Sequence, residues 1–210
     1  MPEHKISYTT QKTYSTLNEI NEKTEYIWFV CHGIGYLSRY FIKYFSELNA
    51  MKHYIIAPQA PSKYYQDKNY KHIGASWLTR EETKMETQNN INYFDEIFQK
   101  EIQLHQDKKL IILGYSQGVS VAMRWIANSK VKCDKLLIHS GGIPEELKAS
   151  DFKGFQFDPY LIYGKSDPYI DNKRAEIEQQ KAYKLFDNRL KIIPFDGAHE
   201  VSKEVISKFN

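Results

Sequence analysis

Gly114-Tyr115-Ser116-Gln117-Gly118 follows the apolar run Leu110-Ile111-Ile112-Leu113 without a gap and leads into a helix-compatible stretch. A strand that turns sharply into a helix through a Gly-x-Ser-x-Gly pentapeptide limits the chain to few architectures. The turn strains its central residue, so the Ser116 hydroxyl stands clear of the sheet edge, and larger side chains two positions either side would collide with neighbouring backbone. Only small residues fit at 114 and 118. A shuffled chain of this length and composition would carry the pattern on the order of 0.03 times, so chance is a poor account of it. The pentapeptide reads as a nucleophile elbow.

The rest of the chain supplies the matching frame. Short β-branched and aromatic runs recur at Glu25 to Cys31, Tyr54 to Ala57, Lys109 to Leu113, Lys135 to His139, Tyr160 to Tyr163 and Leu190 to Phe195, and helix-period segments separate most of them. Alternation of this kind is the grammar of a parallel sheet. Leu37, Tyr40, Phe41, Tyr44, Phe45 and Leu48 are spaced as one face of a helix, as are Ile91, Phe94, Phe98 and Ile102, and Val201, Val205 and Phe209. Ile6 to Ile20 suits an edge strand leading by a turn into Glu25 to Cys31. Residues 58 to 83, rich in Tyr, Pro and Lys, read as a long functional loop near the site. With 210 residues, a single domain over 1–210 is expected. Its fold class is α/β: an α/β-hydrolase fold, with a mostly parallel twisted sheet, helices on both faces and no cap domain.

A serine hydroxyl is a weak nucleophile until a base takes its proton, and the base needs an acid to fix its tautomer. In α/β-hydrolases the order is Ser, then Asp or Glu, then His, each in a loop after a later strand. Asp167 lies just past the Tyr160 to Tyr163 strand, and His199 follows the last strand in Phe195-Asp196-Gly197-Ala198-His199. Asp171 is the alternative acid; His139 would precede the acid and fits the order poorly. The oxyanion donors expected are the backbone amides of Gln117, after the nucleophile, and Ile34, in the loop Cys31-His32-Gly33-Ile34-Gly35. His32 reads as a brace of that loop rather than a base.

Other chemistries lack their signatures. The chain shows no H-E-x-x-H pair, no paired Cys motif, and neither G-x-G-x-x-G nor a Walker loop, so no metal, nucleotide or other cofactor is expected. Its net charge of +3 comes from lysines dispersed among acids and gives no nucleic-acid footprint. No apolar run approaches the roughly 20 residues of a membrane span. Met1-Pro2-Glu3-His4-Lys5 lacks the apolar core of a signal peptide, so a cytoplasmic location without stable membrane insertion is expected. Cys31 and Cys133 are expected as reduced, packed thiols. The sequence leaves a homodimer open.

His32-Gly33, Gly114 to Gly118, Ser140-Gly141-Gly142, Gly164-Lys165-Ser166-Asp167 and Gly197-Ala198-His199 together resemble the phospholipase/carboxylesterase family of α/β-hydrolases, which includes the acyl-protein thioesterases. The resemblance spans about residues 25 to 209, and Ser76-Trp77 matches a Ser-Trp pair of that family. Tyr115 stands where the family's elbow usually has Phe. Thioesterases of the family usually carry an Asp soon after the His-Gly loop, where this chain has Tyr36-Leu37, and residues 62 to 70 do not align with their acyl-binding loop. The resemblance therefore implies a serine carboxylesterase acting on short-chain acyl esters, with Trp77 and Tyr36 as candidate substrate-binding residues and core packing as the other reading of Trp77. Tyr64, Tyr65 and Tyr70 are candidates for an aromatic rim. The alternatives are a thioesterase or lysophospholipase using the same residues, and a binding module on a hydrolase scaffold.

Overall fold

The structure, a computed structural model, describes residues 1–209. Seven strands form the main sheet: β1 (Tyr14–Leu17), β2 (Tyr26–Cys31), β3 (His53–Pro58), β6 (Lys109–Tyr115), β7 (Lys135–His139), β8 (Asp158–Gly164) and β9 (Lys191–Phe195). Their order across the sheet is β1-β3-β2-β6-β7-β8-β9, and every pairing is parallel except that of β1 with β3. The central strands are apolar on both sides because both faces are covered. On one face Phe29, Ile112 and Ile138 meet the helices α2 (Thr83–Glu101), α3 (Gln117–Ser129) and α4 (Asn172–Phe186). On the other Trp28, Leu113 and Leu137 meet the short helices α1 (Ser38–Phe41) and α5 (Lys203–Ser207). This is an α/β-hydrolase fold with no separate cap domain. No described helix is long and apolar enough to cross a membrane.

Four local expectations change. The edge strand expected within Ile6 to Ile20 is confined to Tyr14–Leu17, and it pairs antiparallel with β3 in register Tyr14 to Pro58, because β2 is already flanked by β3 and β6. The single helix expected from Leu37 to Leu48 is instead α1 followed by a 3₁₀ turn over Ile42–Phe45. Tighter winding shifts the buried face: Ile42 is buried and Tyr40 is 54% exposed. Residues 58 to 83 are not a bare loop but contain a hairpin of β4 (Ser62–Tyr65) and β5 (Ile73–Ser76). In α2 Ile97 is buried where Phe98 was expected, with Phe98 only partly covered.

Candidate active site

Ser116 caps α3 at φ 53° and ψ −120°, a positive φ that a side-chain-bearing residue adopts only under constraint. Its amide donates to the His139 carbonyl at 2.9 Å, and its carbonyl accepts from Val119 N–H at 3.1 Å, which holds the turn. The glycines work as the sequence suggests. A Cβ on Gly114 would strike the Val119 backbone, and one on Gly118 the Cys31 carbonyl.

Parallel strands deliver their C-terminal ends to one edge of the sheet, and the candidate residues lie in four loops along that edge. Asp167 follows β8 and His199 follows β9. The two loops are joined: Lys165 and Ser166 N–H donate to the Phe195 and Gly197 carbonyls at 2.9 and 3.0 Å. The His199 Nδ1–H donates to Asp167 Oδ2 at 2.7 Å, and His199 Nε2 faces Ser116 Oγ at 3.0 Å. Asp167 is buried, and its other oxygen, Oδ1, accepts from Tyr169 and Ile170 N–H at 2.8 and 3.2 Å. Three donors hold the carboxylate in place and fix its aim at His199. The alternative acid is engaged elsewhere: Asp171 caps α4, accepting from Arg174 N–H at 2.8 Å. Such a relay can transfer a proton from the Ser116 hydroxyl to His199 while Asp167 fixes the imidazole tautomer.

Two aromatic rings flank His199: Tyr115, seen in the sequence only as an elbow residue, and Tyr169, which sequence reasoning did not name. Tyr115 donates its hydroxyl to the His199 carbonyl at 2.9 Å and lies under the imidazole, with ring centroids 5.2 Å apart. Tyr169, largely exposed, stands edge-on to the same ring at 4.8 Å. Behind them His139 is fully buried, with Nδ1 at 3.1 Å from Ser140 Oγ. Burial, reinforced by the neighbouring His199 when it is charged, lowers the His139 pKa to about 3, so it stays neutral.

The loop from Cys31 to Gly35 is held from both sides. His32 Nδ1–H donates to the Gly33 carbonyl at 2.7 Å, and Nε2 accepts from Ala60 N–H at 3.1 Å. Burial lowers its pKa to about 4, outweighing the Gly33 bond that favours the charged form. His32 is thus a neutral brace. Of the two readings of Trp77, substrate binding and core packing, the second holds: it is 1% exposed, does not line the cleft, and its Nε1–H donates to the His32 carbonyl at 2.7 Å. The Gln117 side chain closes the circuit, accepting from Trp77 N–H at 2.8 Å and donating to the Leu78 carbonyl at 2.7 Å. The hairpin reaches the same loop, where Gln66 Nε2 donates to the Gly35 carbonyl at 2.8 Å.

A cleft of about 460 Å³ opens over Ser116 and His199, and its lining includes Ile34, Tyr36, Gln117, Ser140, Tyr169 and Arg174. Tyr36 lies on the wall of this cleft. Tyr64, Tyr65 and Tyr70 are exposed on the hairpin and do not line the cleft. Among the described residues the Ile34 and Gln117 backbone amides have no protein acceptor. Gln117 also begins α3, whose N-terminal dipole favours negative charge there. A broader groove of about 610 Å³ beside Phe152 and Arg189 contains Ser150 but no histidine, so it offers no comparable pair. No cluster of metal-ligating side chains occurs among the described residues, and Cys31 and Cys133 are free thiols.

Several solved structures share this architecture. The esterase PE8 matches with a TM-score of 0.71 at 17% identity, covering 95% of this chain and 98% of its own. Acyl-protein thioesterase 2 of Zea mays gives 0.68 at 15% identity, covering 95% and 96%. A phospholipase/carboxylesterase from Dyadobacter fermentans gives 0.65 at 19% identity and 97% coverage of both chains. At these identities the likeness is one of fold. Comparison with curated protein sequences gives no significant match. The family model for phospholipase/carboxylesterase matches residues 12–209, nearly the whole chain, and this protein belongs to that family.

Proposed function

We propose that this protein is a serine carboxylesterase that cleaves small acyl esters through an acyl-enzyme. Ser116 Oγ attacks the ester carbonyl as His199 Nε2 removes its proton, and Asp167 stabilises the imidazolium through Nδ1–H. The tetrahedral oxyanion sits between the Ile34 and Gln117 amides. His199 then returns the proton to the departing alcohol. Water, activated by the same imidazole, cleaves the acyl-enzyme and restores the Ser116 hydroxyl. The observation that carries this reading is the continuous relay, 3.0 Å from Ser116 to His199 and 2.7 Å from His199 to Asp167, opening into a cleft. The cleft's modest volume supports short acyl groups, with Tyr36 on one wall.

A fluorophosphonate probe tests the nucleophile: it should label the wild type and leave Ser116→Ala unlabelled, while labelling of the variant would exclude Ser116. Substrate class is tested with p-nitrophenyl esters and acyl-CoA thioesters. Higher kcat/KM for C2 to C6 esters than for C12 to C16 esters or thioesters is expected, and the reverse order would favour a thioesterase or lysophospholipase.

A further inference from the structure

Besides Gly33 and Ile34, the cleft is lined by Ser140, Gly142 and the first turn of α4, which carries a guanidinium. Arg174 lines the same cleft as Ser116 and is about half exposed. Its Nη2 ion-pairs at 2.7 Å with Glu178, a carboxylate that is only 2% exposed. Glu178 is held in turn by the Ile143 N–H at 2.7 Å and by Lys181 at 3.4 Å. The anchor fixes the guanidinium over Gly142, where a Cβ would come within 2.9 Å of Nη2. A side chain at 142 would require the guanidinium to shift.

Two features make this more than a structural ion pair. The pair with Arg174 engages only Nη2 of a group that has further N–H donors on Nε and Nη1, while Lys181, the second cation beside Glu178, is also paired with Glu145 at 3.3 Å. The cleft lining also contains no aspartate or glutamate: Arg174 is its one fixed cation, and its ion-pair partner Glu178 is buried outside the lining. A half-desolvated guanidinium in a cleft free of carboxylates attracts an anionic substrate group and can grip it with two parallel hydrogen bonds.

We propose that Arg174 selects esters bearing a carboxylate on their acyl or alcohol part. This substrate class rests on the esterase reading above. Arg174 binds the carboxylate while the ester carbonyl reaches Ser116, so the preference appears as a kcat/KM ratio between charged and neutral esters of similar size.

The test compares monoethyl glutarate with ethyl hexanoate for an acyl-side carboxylate, and butanoyloxyacetate with propyl butanoate for an alcohol-side one. At least one pair should favour the anion in the wild type by about tenfold or more, which identifies the side Arg174 serves. Arg174→Gln should erase that ratio, and Arg174→Lys should restore part of it, since lysine keeps the charge but not the planar fork. Raising the salt from 0.05 M to 0.5 M should shrink the wild-type ratio, a readout that needs no variant. A wild type that hydrolyses the neutral esters with no preference for either anion, or Arg174→Gln with an unchanged ratio, overturns the proposal and leaves the esterase reading standing. If no ester is cleaved and the fluorophosphonate does not label Ser116, the esterase reading itself falls and this substrate class with it.

Discussion

His32 and His199 both sit at the C-terminal ends of parallel strands, and both rings are hydrogen-bonded at both nitrogens, yet their surroundings give them opposite capacities. The partners of His32 are backbone groups, a carbonyl at Nδ1 and an amide at Nε2, and the ring is fully buried. A proton added at Nε2 would face the Ala60 N–H, so the ring can only be neutral. His199 has a carboxylate at Nδ1 and a hydroxyl at Nε2, and it borders an open cleft. Gaining a proton there strengthens the Asp167 interaction. The lesson is that a histidine becomes a candidate base through the charge it could share, not through its place at a strand end.

The largest effect expected from breaking this contrast is at Asp167. Asp167→Asn keeps the shape but presents an amide that can hold the wrong tautomer, and kcat should fall by as much as about 10⁴-fold with the fold intact. The measurement is ester turnover against a thermal melt. Loss of both together would make Asp167 a folding residue instead.

The bracing side should respond in stability. Trp77→Ala empties a core site and strips the His32 carbonyl of its donor, for about 3 to 5 kcal/mol by urea denaturation. Trp77→Phe should recover most of the packing and miss the hydrogen bond. A changed chain-length preference at unaltered stability would instead return Trp77 to the pocket.

Acid sharpens the comparison further. The pKa of His32 is depressed by burial to about 4 and that of His139 to about 3, against roughly 6.5 in the unfolded chain. Between those values the unfolded state binds protons that the folded state refuses. Stability is therefore full above about pH 6.5 and falls as pH drops through the window, flattening below the folded values. From pH 7 to pH 5 each ring should cost about 2 kcal/mol, read as a lower urea midpoint. His32→Gln should fold less stably at pH 7 but show a shallower pH slope. An unchanged slope would mean that His32 can take a proton in the folded protein.

Much of the fold and of the candidate site can be read from local sequence. The apolar runs sit within a few residues of β2, β3, β6, β7, β8 and β9, because buried parallel strands need continuous apolar sequence. Ser116, Asp167 and His199 are recognisable from chain order and turn residues. The misses depend on contacts between distant segments. β4 is exposed along its whole length and rich in Tyr and Lys, so nothing in its pattern marks it as a strand. Trp77 is buried because its Nε1–H finds a carbonyl 45 positions away. Arg174 reads as one more charge on a solvated helix face, and only Gly142 and Glu178 set it into the cleft. A pairing of Gly142 with an arginine soon after the acid loop was the available signal, and it has no meaning until the loops are side by side.

The smallest predicted effect separates two neighbouring aspartates. Asp171 and Asp167 lie four residues apart, and both accept backbone N–H groups, but Asp171 turns its carboxylate to the first turn of α4. Asp171→Ala removes a helix cap and should cost about 1 kcal/mol. α4 carries Arg174 and Glu178, so a frayed first turn would loosen the cleft wall without touching the relay. Turnover of neutral esters should stay within about threefold of the wild type, against the drop of several orders of magnitude at Asp167. A loss at Asp171 that rivals the loss at Asp167 would show that the acid has been assigned to the wrong residue.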